Sequence, residues 1–169
     1  MILILILQYE TERGYVKMKI IANHAHIFQK SVREDGTIDS LKRVMDICGI
    51  DKTVAFAPFH DYFYDDSTDP NTWLYHQIKN DDCFFGFGVI NFNEKNIKSQ
   101  VRQIHELGLK GIKIHPAFQR INIMCEKALE AYETAEELGL PVSFHTGVHW
   151  YRIKDYNMLL FDEVAYNFK

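Results

Sequence analysis

Two histidines, His24 and His26, follow an apolar segment that predicts a buried strand at residues 19–23. Side chains two positions apart on a strand point to the same side, so both imidazoles can reach one point. Two neutral imidazoles held by a rigid strand are typical ligands of zinc and related divalent metals. The same spacing is found in solvent-facing histidines at a strand end, and the pair alone leaves both interpretations open.

Strands and helices alternate along the rest of the chain. The predicted strands cover residues 19–23, 53–57, 84–90, 110–115 and 142–145. Amphipathic helices lie between them, three of which are predicted to end at Gly49, Gly108 and Gly139, while Asp69 and Pro70 are predicted to begin a shorter one. This regular repeat predicts parallel strands joined by crossover helices in a single α/β domain.

Histidines cluster at the predicted strand ends. Five of the eight lie at or just after the C-terminal end of a strand, namely His24, His26, His60, His115 and His145. The loops that follow parallel strands build the active sites of open α/β sheets and closed barrels at that edge. The clustering therefore favours a metal or acid–base site.

The fourth predicted strand adds a lysine to this set. Lys113 and His115 are two residues apart, so both side chains can enter one cavity. A lysine that extends to solvent and a packed histidine explain the same pattern equally well. His76 and His105 lie on predicted helices, and we interpret both as solvent-exposed.

Composition limits the functional classes. The 169 residues are 47% apolar and carry a net charge of −4, which is typical of one globular domain. Neither a basic patch nor a basic amphipathic segment is present, so we expect no nucleic-acid or membrane partner. Cys48, Cys83 and Cys125 form no CxxC pair and predict free thiols in a reducing, cytoplasmic compartment.

The first seventeen residues differ from the rest. Their apolar run at residues 1–7 is much shorter than the roughly 20 residues that span a bilayer, and its composition favours a short strand. We predict a leader of uncertain status at residues 1–17 and the functional domain at residues 18–169.

Three motifs together resemble a known family. They are Asn23-His-Ala-His26, Leu109-Lys-Gly-Ile-Lys-Ile-His-Pro116 and Pro141-Val-Ser-Phe-His-Thr-Gly147. In order and spacing they resemble the amidohydrolase-related branch of the amidohydrolase superfamily. The resemblance implies a (β/α) barrel of the TIM type and one or two divalent metals, with zinc expected first and manganese second. It also implies hydrolysis of carbon–nitrogen or carbon–oxygen bonds, or decarboxylation, of a small molecule.

The resemblance assigns roles to individual residues. The implied metal ligands are His24, His26 and His145. The implied catalytic residues are Lys113 and His115. The implied substrate-binding residues are His149, Trp150 and Arg152, of which the guanidinium suits a carboxylate.

The family continues with a sixth strand bearing a histidine and an eighth bearing an aspartate, whereas this sequence ends at Lys169. We therefore expect an incomplete barrel with about five of eight βα units and bare edges at its first and fifth parallel strands. The predicted function is that of a metal-dependent hydrolase, and a chain that lacks the later strands is expected to be inactive. The alternatives are a decarboxylase of the same family, or a non-catalytic fragment that self-associates or complements a C-terminal segment. A phosphoesterase barrel of the histidinol-phosphatase type fits residues 111–116 poorly.

Overall fold

The computed structural model describes residues 4–12, 15–147, 152 and 157–169. Its strands are β1 (Ile4–Glu12), β2 (Tyr15–His26), β3 (Lys52–Phe56), β4 (Phe84–Val89), β5 (Gly111–Ile114) and β6 (Val142–Phe144). Its helices are α1 (Ile38–Cys48), α2 (Pro70–Ile78), α3 (Ile97–Glu106), α4 (Glu126–Glu137) and α5 (Met158–Asn167), with a short 3-10 turn at His60–Tyr62. The chain divides into two compact units, residues 1–87 and 88–169.

The first unit is built on a mixed sheet. Strand β2 pairs in parallel with β3, and β3 pairs in parallel with β4. Strand β1 pairs antiparallel with the other edge of β2, from Ile4 opposite Ala22 to Glu12 opposite Tyr15. The expectation of a bare edge on the first parallel strand is therefore wrong, because the N-terminal segment forms the strand that covers it. The predicted boundary at residue 18 lies inside β2 and stays a prediction.

Helix ends in the first unit follow local chemistry. Helix α1 ends at Gly49, whose φ of 66° is the left-handed conformation that favours glycine, and the Gly49 N–H donates to the last turn. Helix α2 begins after Asp69, whose carboxylate accepts from the N–H groups of Asn71 and Thr72, with Pro70 in the first turn. Both predicted boundaries are confirmed.

The second unit repeats the βα pattern. Strands β5 and β6 are parallel, with Ile112, Lys113 and Ile114 opposite Val142, Ser143 and Phe144. Helix α3 packs against β5 and α4, and its apolar stripe of Ile97, Val101 and Ile104 is fully buried. The predicted helix ends at Gly108 and Gly139 are confirmed by their φ values of 77° and 66°.

Each parallel strand is followed by a helix, which gives five βα units. The predicted α/β class and the incomplete barrel of the TIM type are confirmed. Cys48, Cys83 and Cys125 are free thiols, as predicted. Among the described residues, no helix is both long and apolar enough to cross a membrane.

Candidate functional site

The two histidines of the first motif converge at the C-terminal end of β2. The Nε2 atoms of His24 and His26 are 3.2 Å apart, and both side chains are half-buried. The predicted placement of both imidazoles on one side of the strand is confirmed. A local irregularity accompanies it: Ala22 is opposite Thr53 and Ala25 is opposite Ala55, so Asn23 and His24 share one partner position on β3. This is a β-bulge, a feature that redirects side chains beside functional sites.

Aromatic rings support the histidine pair. The Phe56 ring, which is fully buried, lies 4.7 Å from the His24 ring and 5.1 Å from the His26 ring between centroids. Phe28 and Phe59 lie 6.2 and 6.4 Å from His26. These contacts restrict rotation of both imidazoles, so their nitrogen atoms are held close together before any ligand binds.

The geometry of the pair fits two ligands of one divalent ion. Nitrogen ligands about 2.0–2.1 Å from a tetrahedral zinc ion are about 3.3–3.4 Å from each other, close to the separation of 3.2 Å between the two Nε2 atoms. The same distance also allows one imidazole to donate a hydrogen bond to the other. A metal would replace that proton, because a ligating imidazole must be neutral and unprotonated at the ligating nitrogen.

Lys113 is buried in the core of the second unit. Its side chain is 1% exposed on β5, between Ile112 and Ile114, which are fully buried. Burial lowers the pKa of the Lys113 ammonium from its ordinary value of 10.5 to about 8. The interpretation as a lysine that extends to solvent is therefore wrong, because the side chain is almost completely shielded from solvent. An amine with this pKa is partly neutral near physiological pH and can accept a proton.

The ring and backbone of His115 are held by the loop that follows β5. The Gln119 amide accepts from the His115 N–H at 2.8 Å and donates to the carbonyl of Ile90 at 2.8 Å. The Phe118 N–H donates to Nδ1 of His115 at 3.2 Å. In the neutral ring this bond keeps the proton on Nε2, which can donate it to a substrate or another acceptor.

His145 follows β6 and stacks on His115. The two ring centroids are 3.8 Å apart and the rings are nearly parallel, at 7°. The His145 N–H donates to the Ile114 carbonyl at 2.9 Å, and its Nε2 lies 3.0 Å from the Gly147 carbonyl. A carbonyl oxygen only accepts, so Nε2 carries the proton and Nδ1 carries the lone pair. To act as a metal ligand, His145 would have to use Nδ1 or lose its bond to the Gly147 carbonyl.

The other predicted residues are distributed as follows. His149 and Trp150 lie outside the described residues. Arg152 is exposed and lines a cavity of about 540 Å³ beside the loop that follows β5. His76 and His105 are exposed on helices α2 and α3, as predicted.

Sequence reasoning did not identify two side chains that contact these histidines: Phe56 beneath the histidine pair and Gln119 beside His115. Gln119 lies four residues after His115, which is a weak signal that could have identified it. Phe56 has no such local signal.

A second group of possible metal ligands has a structural role and not a metal-binding one. Asp81, Asp82 and Cys83 lie close together in the turn before β4. The Asp81 carboxylate is paired with Lys42 at 2.6 Å and accepts from the Cys83 N–H at 3.0 Å. Burial raises the pKa of the Cys83 thiol, which disfavours the thiolate that metals require. The group is a capped turn at the beginning of a strand.

Solved structures with similar folds are larger than this chain. A 5-carboxyvanillate decarboxylase from Novosphingobium aromaticivorans, with bound manganese and 3-methoxy-4-hydroxy-5-nitrobenzoic acid, is 18% identical with a TM-score of 0.63. The match covers 94% of this chain and 58% of that one. A dihydroorotase from Campylobacter jejuni is 13% identical with a TM-score of 0.57, over 88% of this chain and 44% of that one. A 5-carboxyvanillate decarboxylase from Sphingomonas paucimobilis is 16% identical with a TM-score of 0.56, over 76% of this chain and 52% of that one.

This chain thus spans about half the length of the solved structures that it matches. No curated protein sequence matches it. The amidohydrolase family model matches residues 34–167, a segment that begins after the histidine pair and contains Lys113, His115 and His145. The chain therefore belongs to the amidohydrolase family.

Proposed function

We propose that this chain carries the N-terminal part of a metal-dependent hydrolase barrel and binds one divalent metal through His24 and His26. The observation that carries the proposal is the separation of 3.2 Å between their Nε2 atoms on an aromatic support. His145 is the third ligand that the family resemblance predicts. Zinc is the first candidate because imidazole ligands suit it, and manganese is the second because one similar structure holds it.

A divalent metal at this site supplies Lewis acidity, which polarises a carbonyl group and makes water a stronger acid. The residues of the second unit are suited to binding the substrate and transferring protons. Lys113, whose pKa is about 8, accepts a proton in its neutral form and donates one when charged. His115, with Nδ1 already bonded to the Phe118 N–H, offers its Nε2 proton to a substrate oxygen. We assign acid–base roles to both side chains.

Decarboxylation is the second candidate reaction. It is supported by the similarity of 94% of this chain to a decarboxylase that binds manganese and a substituted benzoic acid. In that case the metal would orient a carboxylate instead of polarising a scissile carbonyl. Hydrolysis remains the first proposal because the amidohydrolase family model covers most of the chain.

Metal analysis of the purified chain tests the proposal. We expect about one zinc or manganese ion per chain, by mass spectrometry of the monomer peak from size exclusion. His24→Ala and His26→Ala should remove the metal, and His145→Ala should weaken its binding. The control variants His76→Ala and His105→Ala change exposed helical histidines and should retain it.

Three results would overturn the proposal. They are an absence of metal from the unmodified chain, equal loss in control and site variants, or metal confined to aggregates. Metal-free oligomers would instead support the alternative of a non-catalytic fragment that self-associates.

A further inference from the structure

The loop that follows β4 is held by side chains from two helices of the second unit. The Gln100 side chain on α3 accepts from the Asn91 N–H at 2.7 Å and donates to the Asn91 carbonyl at 3.1 Å. Lys127 on α4 donates to the Phe92 carbonyl at 2.6 Å, and the Phe92 side chain is buried. Backbone groups that are bonded and packed in this way resist local opening. The loop is therefore a rigid anchor for any group that is bonded to it.

Gln119 joins this loop to His115. Its side-chain NH2 group donates to the Ile90 carbonyl at 2.8 Å, while its side-chain oxygen accepts from the His115 N–H at 2.8 Å. One partner only accepts and the other only donates, so the orientation of the amide is fixed by its partners. Ile90 is fully buried and directly precedes the residue that Gln100 binds. A glutamate at position 119 would lack the donor, and a methionine would lack both groups.

The backbone of Gln119 closes the turn that carries the His115 ring. The Gln119 N–H donates to the His115 carbonyl at 2.9 Å, so the backbone and side chain of Gln119 together bond both backbone polar groups of His115. Within this turn the Phe118 N–H donates to Nδ1 of His115 at 3.2 Å. A donor at Nδ1 requires a lone pair there, so the neutral ring carries its proton on Nε2. The geometry of the turn thus decides which ring nitrogen is protonated.

We propose that Gln119 is the positioning residue of His115. By bonding the turn at residues 115–119 to the loop that follows β4, it keeps the His115 proton on Nε2 and holds the ring against that of His145, 3.8 Å away between centroids. A histidine in the wrong tautomer cannot serve as the acid or base that a reaction needs. The catalytic meaning of this inference rests on the proposed acid–base role of His115, whereas the positioning itself needs neither metal nor substrate.

NMR spectroscopy of the 15N-labelled, EDTA-treated full chain tests the inference through two properties of His115. The first is the hydrogen-exchange rate of its backbone amide. The second is the pair of ring 15N shifts at alkaline pH, which report the protonated nitrogen of the neutral ring. In the unmodified chain we expect slow exchange and an unprotonated Nδ1. Gln119→Met should speed the exchange at least about tenfold, because the acceptor is removed, and should move both ring signals towards a mixture of tautomers.

Gln119→Glu separates the two bonds of the side chain. It retains the acceptor for the His115 N–H and removes the donor to the Ile90 carbonyl. The His115 amide should therefore still exchange slowly, whereas the ring signals should move towards a mixture because the turn has lost its anchor. This variant also keeps the inference testable if Gln119→Met does not fold.

Gln100→Met is the matched control. It makes the same substitution in the same unit and removes the bonds to Asn91 instead of those to His115. It should leave both properties of His115 unchanged, even if it lowers the melting temperature as much as Gln119→Met does. The inference is overturned by a proton on Nδ1 in the unmodified chain, by unchanged ring signals in the folded Gln119 variants, or by equal changes at His115 in Gln100→Met. Metal content is measured separately, so a failure to bind metal bears on the proposed function alone.

Discussion

The buried ammonium of Lys113 should lower the free energy of unfolding of this protein at neutral pH, and Lys113→Met should raise it again. The side chain is 1% exposed and lies between two fully buried isoleucines on β5. Methionine has a similar length and an apolar end, so the substitution removes the charge and largely preserves the packing. A residue kept in this position against its desolvation cost is a candidate for a chemical role.

The pKa of Lys113 sets the size and sign of the effect. A shift from 10.5 to about 8 corresponds to roughly 3 kcal/mol. Between these two pH values the unfolded chain binds more protons than the folded chain, so stability rises as the pH rises. The destabilisation caused by burying the charged Lys113 is fully present below pH 8 and is removed by about pH 10.5. At pH 7 the Lys113→Met variant should therefore be more stable by up to about 3 kcal/mol, and its advantage should shrink at pH 10.

Urea unfolding followed by circular dichroism at pH 7 and pH 10 measures this difference. The control is Lys110→Met, which changes an exposed lysine just before the same strand and should alter the free energy of unfolding by less than about 0.5 kcal/mol. The reasoning is refuted if Lys113→Met is less stable at pH 7. An equal increase in the free energy of unfolding at pH 7 and pH 10 would also refute the reasoning, because methionine would then stabilise the protein through packing and not through removal of the charge.

Two further substitutions test contacts that support the fold. Asp69→Ala should lower the free energy of unfolding by about 1 kcal/mol, since the carboxylate caps α2, while a change at the exposed Asp66 should have little effect on urea unfolding. Tyr132→Phe should raise the free energy of unfolding by about 1 kcal/mol, because the Tyr132 hydroxyl is buried with no hydrogen-bond partner in the described part of the chain. A lower melting temperature for Tyr132→Phe would contradict that expectation.

Element types were readable from the sequence because their signals are local. The glycine after α1 and the aspartate before α2 act through their own backbone neighbours, so both ends were predicted correctly. The beginning of β2, in contrast, was not predicted correctly. It extends to Tyr15 because β1 pairs along its edge, and a partner distant in sequence leaves no periodic signal. The same pairing is the reason that the predicted bare edge is absent.

The candidate site was predictable only in outline. Spacing alone places His24 and His26 on one side of a strand, whereas the separation of 3.2 Å accompanies a bulge set by register with β3. The spacing of Lys113 and His115 was readable, although β5 ends at Ile114, one residue before His115, and the burial of Lys113 left no local signal in the sequence.

The division of the chain into two units separates the proposed chemistry into two measurable parts. The histidine pair belongs to residues 1–87, whereas Lys113, His115 and His145 belong to residues 88–169. Metal analysis of the His24→Ala and His26→Ala variants therefore reports on the first unit, and unfolding of Lys113→Met reports on the second. If His145→Ala retains the metal as the unmodified chain does, the histidine pair of the first unit is sufficient for metal binding, and the proposed third ligand from the second unit is not required.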